Sequence, residues 1–172
     1  MNDTTPDWER RTADLWATLD DDTDAEAFVT RIDVLAAELP PDDTTGLFER
    51  GAARDSTGRP REAVALYRAA LAAGLEGSRR RRAVIQMSSS LRNLGQPAEA
   101  LALLTAELER PSDELDGAVR AFLALALVDL GREREAVAAS LGALSRYLPR
   151  YNRSLARYAL ALAPGPGFAD AD

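Results

Sequence analysis

The residue types that most often carry enzymatic chemistry are missing from this chain. It contains no cysteine and no histidine, and all 21 of its basic residues are arginine, so it has no lysine. A thiolate zinc site, an imidazole base and a Schiff-base amine are therefore excluded. Catalysis would have to use carboxylates, hydroxyl groups and guanidinium groups alone, and the sequence shows no such pattern typical of an enzyme. We predict a non-enzymatic protein without a cofactor.

Two clusters of oxygen-bearing side chains could still carry chemistry. The serines at 88–90 are potential nucleophiles, but the chain has no histidine or lysine to activate them and no Gly-Xaa-Ser-Xaa-Gly motif. We interpret them as small residues for helix packing. Four aspartates within 20–24 could attract a cation, but the turn glycine and distal glutamate of a calcium loop are absent. We predict no metal site, and a solvated loop in which Thr23 and Glu26 form a capping box.

Four consecutive arginines at 79–82 form the densest basic run. They could contact nucleic acid phosphates, but no aromatic residues are interleaved with them and the chain carries a net charge of −7. Residues 1–50 carry a net charge of −10, whereas residues 51–172 carry +3. The sequence therefore argues against a nucleic acid partner, and one alternative is that the run docks on the acidic N-terminal segment.

A recurring turn predicts the helices that position these residues. Gly58, Gly95 and Gly131 lie 37 and 36 residues apart, and each precedes an alanine by five residues. Apolar residues recur at three- and four-residue steps on both sides of each glycine, which predicts pairs of amphipathic helices. Pro60 and Pro97 fit the first turn of the second helix in a pair. The glycines are expected to adopt the left-handed conformation that ends the first helix.

Further helices flank these three pairs. Residues 1–41 predict an acidic helix pair, in which Trp8 and Trp16 are expected to pack in the core, and which is either a cap or a degenerate repeat. Residues 149–163 predict a single closing helix, and residues 164–172 a disordered tail. The longest apolar run, residues 121–128, is too short to span a membrane, so we expect a cytoplasmic protein without a membrane partner.

The glycine-turn units resemble the tetratricopeptide repeat, a helix–turn–helix unit of about 34 residues. Counted from Thr44, the first unit has Gly51, Ala63, Tyr67 and Ala70 at the family's small and large positions. The second unit carries Met87, Ser88 and Ala100 at equivalent places, and the third carries Leu123, Ala124, Ala136 and Ala143. The resemblance is closest to small bacterial proteins that consist of little else. It implies an all-α right-handed solenoid of about nine helices, with repeats at 44–77, 81–112 and 117–148 inside the segment 42–148.

In this family the first helix of each pair lines a concave groove that takes a peptide, so the resemblance also implies a binding site. The positions carried over are Phe48, Arg82, Ile85, Gln86, Ser89, Arg92, Asn93, Leu125 and Val128. Arg82 and Arg92 lie ten residues apart, about 15 Å along a helix. Because the guanidinium fork suits carboxylates, the hypothesis is a strip that binds an acidic or C-terminal peptide, with an apolar side chain on Leu125 and Val128. The alternative is an ordinary solvated helix face.

The expected function is therefore a non-catalytic module that binds a peptide segment or a partner protein. Two other classes stay open: a self-associating structural module, for instance a homodimer, and a regulatory subunit of an enzyme or transcription factor. The sequence does not name the partner.

Overall fold

The computed structural model describes residues 6–111 and 113–163, and this part of the chain consists of helices and their connections. Nine helices lie within these ranges and no strand is found in them, so the predicted all-α fold class is confirmed. The predicted tail at 164–172 lies outside the described residues. In chain order the helices are α1 Pro6–Trp16, α2 Ala25–Ala36, α3 Thr44–Ser56, α4 Pro60–Ala72, α5 Gly77–Asn93, α6 Pro97–Leu108, α7 Asp116–Asp129, α8 Glu133–Ser145 and α9 Asn152–Leu162.

The chain forms two compact units, Met1–Ser90 and Leu91–Asp172, and their boundary falls inside α5. Helices α1 to α4 and most of α5 belong to the first unit, and α6 to α9 belong to the second. Helix α5 begins at Gly77, four residues before the predicted start of the second repeat. The arginine run at 79–82 therefore lies at a helix N-terminus, where the helix dipole disfavours positive charge and acidic partners are needed.

The three predicted turn glycines end α3, α5 and α7. Gly58, Gly95 and Gly131 have φ angles of 78°, 76° and 70°, in the left-handed region that favours glycine. In each turn the N–H of the following residue donates to a carbonyl five residues earlier, at 2.8–2.9 Å, which satisfies the end of the helix. Pro60 and Pro97 then begin α4 and α6, where a missing N–H costs nothing. The predicted turns are confirmed.

Small residues let the helices of the first hairpin approach closely. Gly51 of α3 faces the ring of Tyr67 on α4 so tightly that an added Cβ would lie 3.0 Å from two ring carbons. Ala63 and Tyr67 are fully buried, and the Tyr67 ring centroid lies 6.1 Å from that of Phe48. The core of this hairpin therefore depends on the pairing of one large aromatic residue with one glycine.

Both tryptophans pack within the first unit, as predicted. Trp8 is 2% exposed, and its indole Nε1 donates to the Leu35 carbonyl at 2.8 Å. Trp16 is half-buried and lies edge-on to Phe28, with ring centroids 5.1 Å apart. Contacts that join the start of α1 to the end of α2, and the end of α1 to the start of α2, show that these helices are antiparallel.

The predicted capping box at the start of α2 was wrong by one residue. The N-cap is Asp24, whose carboxylate accepts from the backbone N–H groups of Glu26 and Ala27 at 2.9 and 3.1 Å. The Thr23 hydroxyl instead accepts from the Asp20 backbone N–H at 2.9 Å, within the loop. Both residue types are good caps, and the loop hydrogen bonds of Thr23 leave Asp24 to begin the helix.

Arginines of α3 hold this helix against α2. Asp33 of α2 accepts from Arg50 at 3.0 Å and from Arg54 at 2.8 Å. Burial alone would raise the pKa of Asp33, but the hydrogen bonds and charges of the two arginines lower it below its usual value. Glu26 also pairs with Arg59, just beyond α3. The acidic second helix is therefore joined by ion pairs to the first glycine-turn hairpin.

The second unit is built from smaller side chains. Ala124 and Leu127 of α7 form a core cluster with Ala136 of α8, and α9 packs against α8. Ala159 is the buried residue of α9, whereas Tyr158 and Leu160 on the same helix are 60% and 76% exposed. Helix α9 therefore covers α8 with alanine and leaves its larger side chains outside.

Candidate functional site

The predicted groove residue of α3 is buried. Phe48 has 0% exposure: its ring packs near Tyr67, and the guanidinium of Arg82 on α5 lies over it, 5.0 Å from the ring centroid. Such a contact combines a cation–π attraction with the cover that a long side chain gives to an apolar surface. A peptide therefore cannot touch Phe48 in this conformation, which corrects its predicted place on the surface.

Arg82 is the exposed residue of the predicted strip in the first unit. Within the described residues it makes the contact with Phe48 and no ion pair. Ile85 is 7% exposed, Gln86 and Ser89 are half-buried, and the amide oxygen of Gln86 accepts from the Tyr67 hydroxyl at 3.2 Å. Of the predicted polar residues before the unit boundary, Arg82 presents an uncompensated charge to solvent, whereas Gln86 is used inside the fold.

A buried polar cluster lies behind this face. The carboxylate of Asp55 on α3 accepts a hydrogen bond from the Ser90 hydroxyl of α5, and it also interacts with the Tyr67 hydroxyl. Burial raises the pKa of Asp55, and the two hydrogen bonds offset only part of that rise. Burial and the nearby Asp55 charge raise the pKa of Tyr67 as well. These groups fix α3, α4 and α5 relative to one another and present no nucleophile to solvent.

The first arginine of the basic run binds the acidic N-terminal pair. Arg79 donates to both carboxylate oxygens of Glu9 on α1, at 3.0 and 2.5 Å, and to Glu49 on α3 at 3.1 Å. Glu49 is 3% exposed and also accepts from the Trp16 indole at 2.8 Å. Of the two hypotheses for the arginine run, nucleic acid binding and docking on the acidic N-terminal segment, the contacts of Arg79 agree with the second. Sequence reasoning missed the pairing of Arg79 with Glu49, although an arginine-rich helix start needs acidic partners.

In the second unit, the predicted residues fall on an exposed part of α7 and on the end of α5. Leu125 and Val128 are 45% and 50% exposed, and Asn93 is exposed. Arg92 donates to Asp129 at 2.5 Å, so its charge is already compensated. Asp129 was missed by sequence reasoning, although a signal existed, since it follows Arg92 by 37 residues, the spacing of the turn glycines.

The described helices place the chain in the class of proteins built from helix pairs with glycine turns. None of the predicted site residues lies in a catalytic arrangement. The family model described as "Tetratrico peptide repeat" matches residues 44–162, well over half of the chain. The chain therefore belongs to the tetratricopeptide repeat family, as its glycine turns predicted. Helices α1 and α2 lie before the matched residues.

Other comparisons add no relative. No curated protein and no solved structure matches the chain significantly. Tetratricopeptide repeats generally mediate protein–protein interactions, and the family is typically non-catalytic. Across residues 6–111 and 113–163, the helices are all too short or too polar to cross a membrane.

Proposed function

We propose that this chain binds a segment of a partner protein on the face of α7 formed by Leu125 and Val128. The observation that carries the proposal is the exposure of these two side chains, 45% and 50%, on a first helix of the family's hairpin. They are three residues apart and therefore lie on one side of the helix. An apolar side chain of the partner would gain about 25 cal/mol for each Å² of apolar surface that it removes from water there.

Arg92 and Asn93 are the polar residues proposed for this face, and they determine which polar groups a partner could bind there. Arg92 is bound to Asp129, so it contributes a closed ion pair rather than a free cation. Asn93 is exposed beside it in sequence and offers both a donor and an acceptor to a peptide backbone. The original hypothesis of two arginines binding carboxylates therefore narrows, for the second unit, to an apolar anchor with neutral hydrogen bonds.

Arg82 in the first unit supports a separate proposal for acidic partners, which concerns that unit by itself. Its guanidinium is exposed and unpaired within the described residues, and a carboxylate could bind it from solvent while its stem stays on Phe48. A partner with an acidic side chain or a free C-terminus would thus gain affinity that depends on Arg82 and falls with added salt.

The test is selection of peptides from a random display library on the purified chain, followed by affinity measurement of the enriched peptides. We expect Leu125→Asp to weaken binding at least tenfold, whereas Val137→Asp, on α8 with 46% exposure, should leave it unchanged. Arg82→Gln keeps a long side chain over Phe48 and should weaken only the acidic peptides. If all enriched peptides without acidic residues bind the Leu125→Asp protein as well as the wild type, the proposal for the α7 face is contradicted.

A further inference from the structure

A pocket of about 540 Å³ lies within the second unit, between α7, α8 and α9. Its walls are mostly apolar, and apart from Glu135 the residues that α8 contributes to them are small. An added Cβ at Gly142 would meet no atom within 4 Å, so this part of the helix borders open space. The volume is within the roughly 300–1,000 Å³ typical of small-molecule sites. The apolar lining includes Leu123, Leu127, Ala138, Ala139, Ala159 and Leu160.

Three charged residues line the same pocket, and two of them are already compensated. Arg146 pairs with Asp116 at 3.1 Å. Glu135 accepts two hydrogen bonds from Arg132, both at 2.7 Å, and they lower the pKa of Glu135. Neither group therefore has an unsatisfied charge to offer a ligand.

Arg120 of α7 is the third charged residue and differs from the other two. Its Nε atom is buried without a hydrogen-bond partner, and within the described residues Arg120 has no ion pair. A buried donor that has lost water and gained no partner costs about 1–3 kcal/mol, more where the group is charged. The Nε atom does not itself face the pocket, but Arg120 lines it, and an anion bound there would pair with the uncompensated guanidinium charge.

We propose that this pocket binds an apolar molecule with a single carboxylate, such as a fatty acid of medium length. The hydrocarbon part would lie on Leu123, Leu127 and Ala159, and the carboxylate would accept hydrogen bonds from the guanidinium of Arg120. One unpaired arginine matches one negative charge, so a monocarboxylate fits better than a multiply charged phosphate. This site is separate from the Leu125 and Val128 face and does not depend on the function proposed for that face.

The test uses decanoate as the probe, with decanol and acetate as probes that lack the charge and the chain. Binding to the full chain is measured by calorimetry below the concentration at which decanoate forms micelles. We expect decanoate to bind, acetate not to bind, and Arg120→Gln to weaken decanoate at least tenfold while leaving decanol unchanged. Arg134→Gln, an exposed arginine of α8 outside the pocket, is the matched control.

A second variant tests the location of the site without changing Arg120. Gly142→Leu would place a side chain in the open space and should abolish binding of both decanoate and decanol, with helicity by circular dichroism showing that the protein is folded. The proposal is overturned if decanoate does not bind the wild type, or if it binds the Arg120→Gln protein equally well. Binding that survives in the Gly142→Leu protein would place the ligand elsewhere and overturn it as well.

Discussion

The ion pair between Arg79 and Glu49 should contribute measurably to the stability of the first unit. The side chain of Glu49 is 5% exposed and that of Arg79 is 25% exposed. Removing one partner of a buried pair costs about 3–5 kcal/mol. Because water reaches part of Arg79, we expect Arg79→Ala to lower the free energy of unfolding by about 2–3 kcal/mol, below that range.

The partner variant should cost less, because it leaves no buried charge behind. Glu49→Gln keeps an oxygen that accepts from Trp16, and Arg79 keeps its bond to Glu9. We expect a loss of about 1 kcal/mol, the worth of one hydrogen bond. The double variant should then cost less than the sum of the two single variants, by about 1 kcal/mol or more, because the groups are in contact.

Urea unfolding followed by tryptophan fluorescence is the suitable assay. Both tryptophans of the chain lie in α1, so the signal reports the first unit. Arg132→Ala, which removes an exposed pair of the second unit, is the control and should change this signal little. The reasoning would be refuted by an Arg79→Ala loss no larger than that of the control, or by additive single and double variants.

Three further predictions concern packing, titration and the turns. Gly51→Ala should cost about 1–3 kcal/mol, because its Cβ would press on the Tyr67 ring, whereas Gly142→Ala should gain about 0.5–1 kcal/mol in urea unfolding. Asp55→Asn should stabilise the protein more at pH 7 than at pH values below the unfolded pKa of about 3.9. Because the pKa of Asp55 is raised in the folded state, the wild-type protein loses stability as the pH rises, and asparagine does not. A gain in stability that is independent of pH would contradict this prediction. Gly95→Ala should cost about 1 kcal/mol through its positive φ, seen as a lower thermal midpoint.

Features set by neighbouring residues could be predicted from the sequence. Gly58, Gly95 and Gly131 close helices because a left-handed residue is needed there, and this need is local. The repeat pattern predicts Arg81 as the first position of the second unit, whereas α5 begins at Gly77. Four arginines at a helix N-terminus oppose the helix dipole, which is an objection to a helix that begins there. The carboxylates of Glu9 and Glu49 compensate the charge of Arg79, and Glu9 lies 70 residues away in the chain. No local pattern reports a partner at that separation.

The repeat spacing itself, however, predicts some of these distant contacts. The pairs Trp16–Glu49, Asp55–Ser90 and Arg92–Asp129 are separated by 33, 35 and 37 residues, close to the distance between turn glycines. Successive first helices therefore place equivalent positions side by side. The contact of Trp16 with Glu49 at this spacing supports the hypothesis that α1 and α2 form a degenerate repeat rather than an unrelated cap.

Spacing does not predict which of the groove positions are exposed. Phe48 and Leu125 were both assigned to the groove by their places in the first helix, yet one is fully buried and the other is 45% exposed. Phe48 packs near Tyr67 and is covered by the guanidinium of Arg82. Whether a long side chain covers a neighbouring ring depends on the ion pairs that compete for it throughout the unit. Arg92 forms an ion pair with Asp129, whereas Arg82 has no ion pair within the described residues. The position in the repeat therefore predicts candidate binding residues within each unit, and the charges around them decide which of those side chains stay exposed.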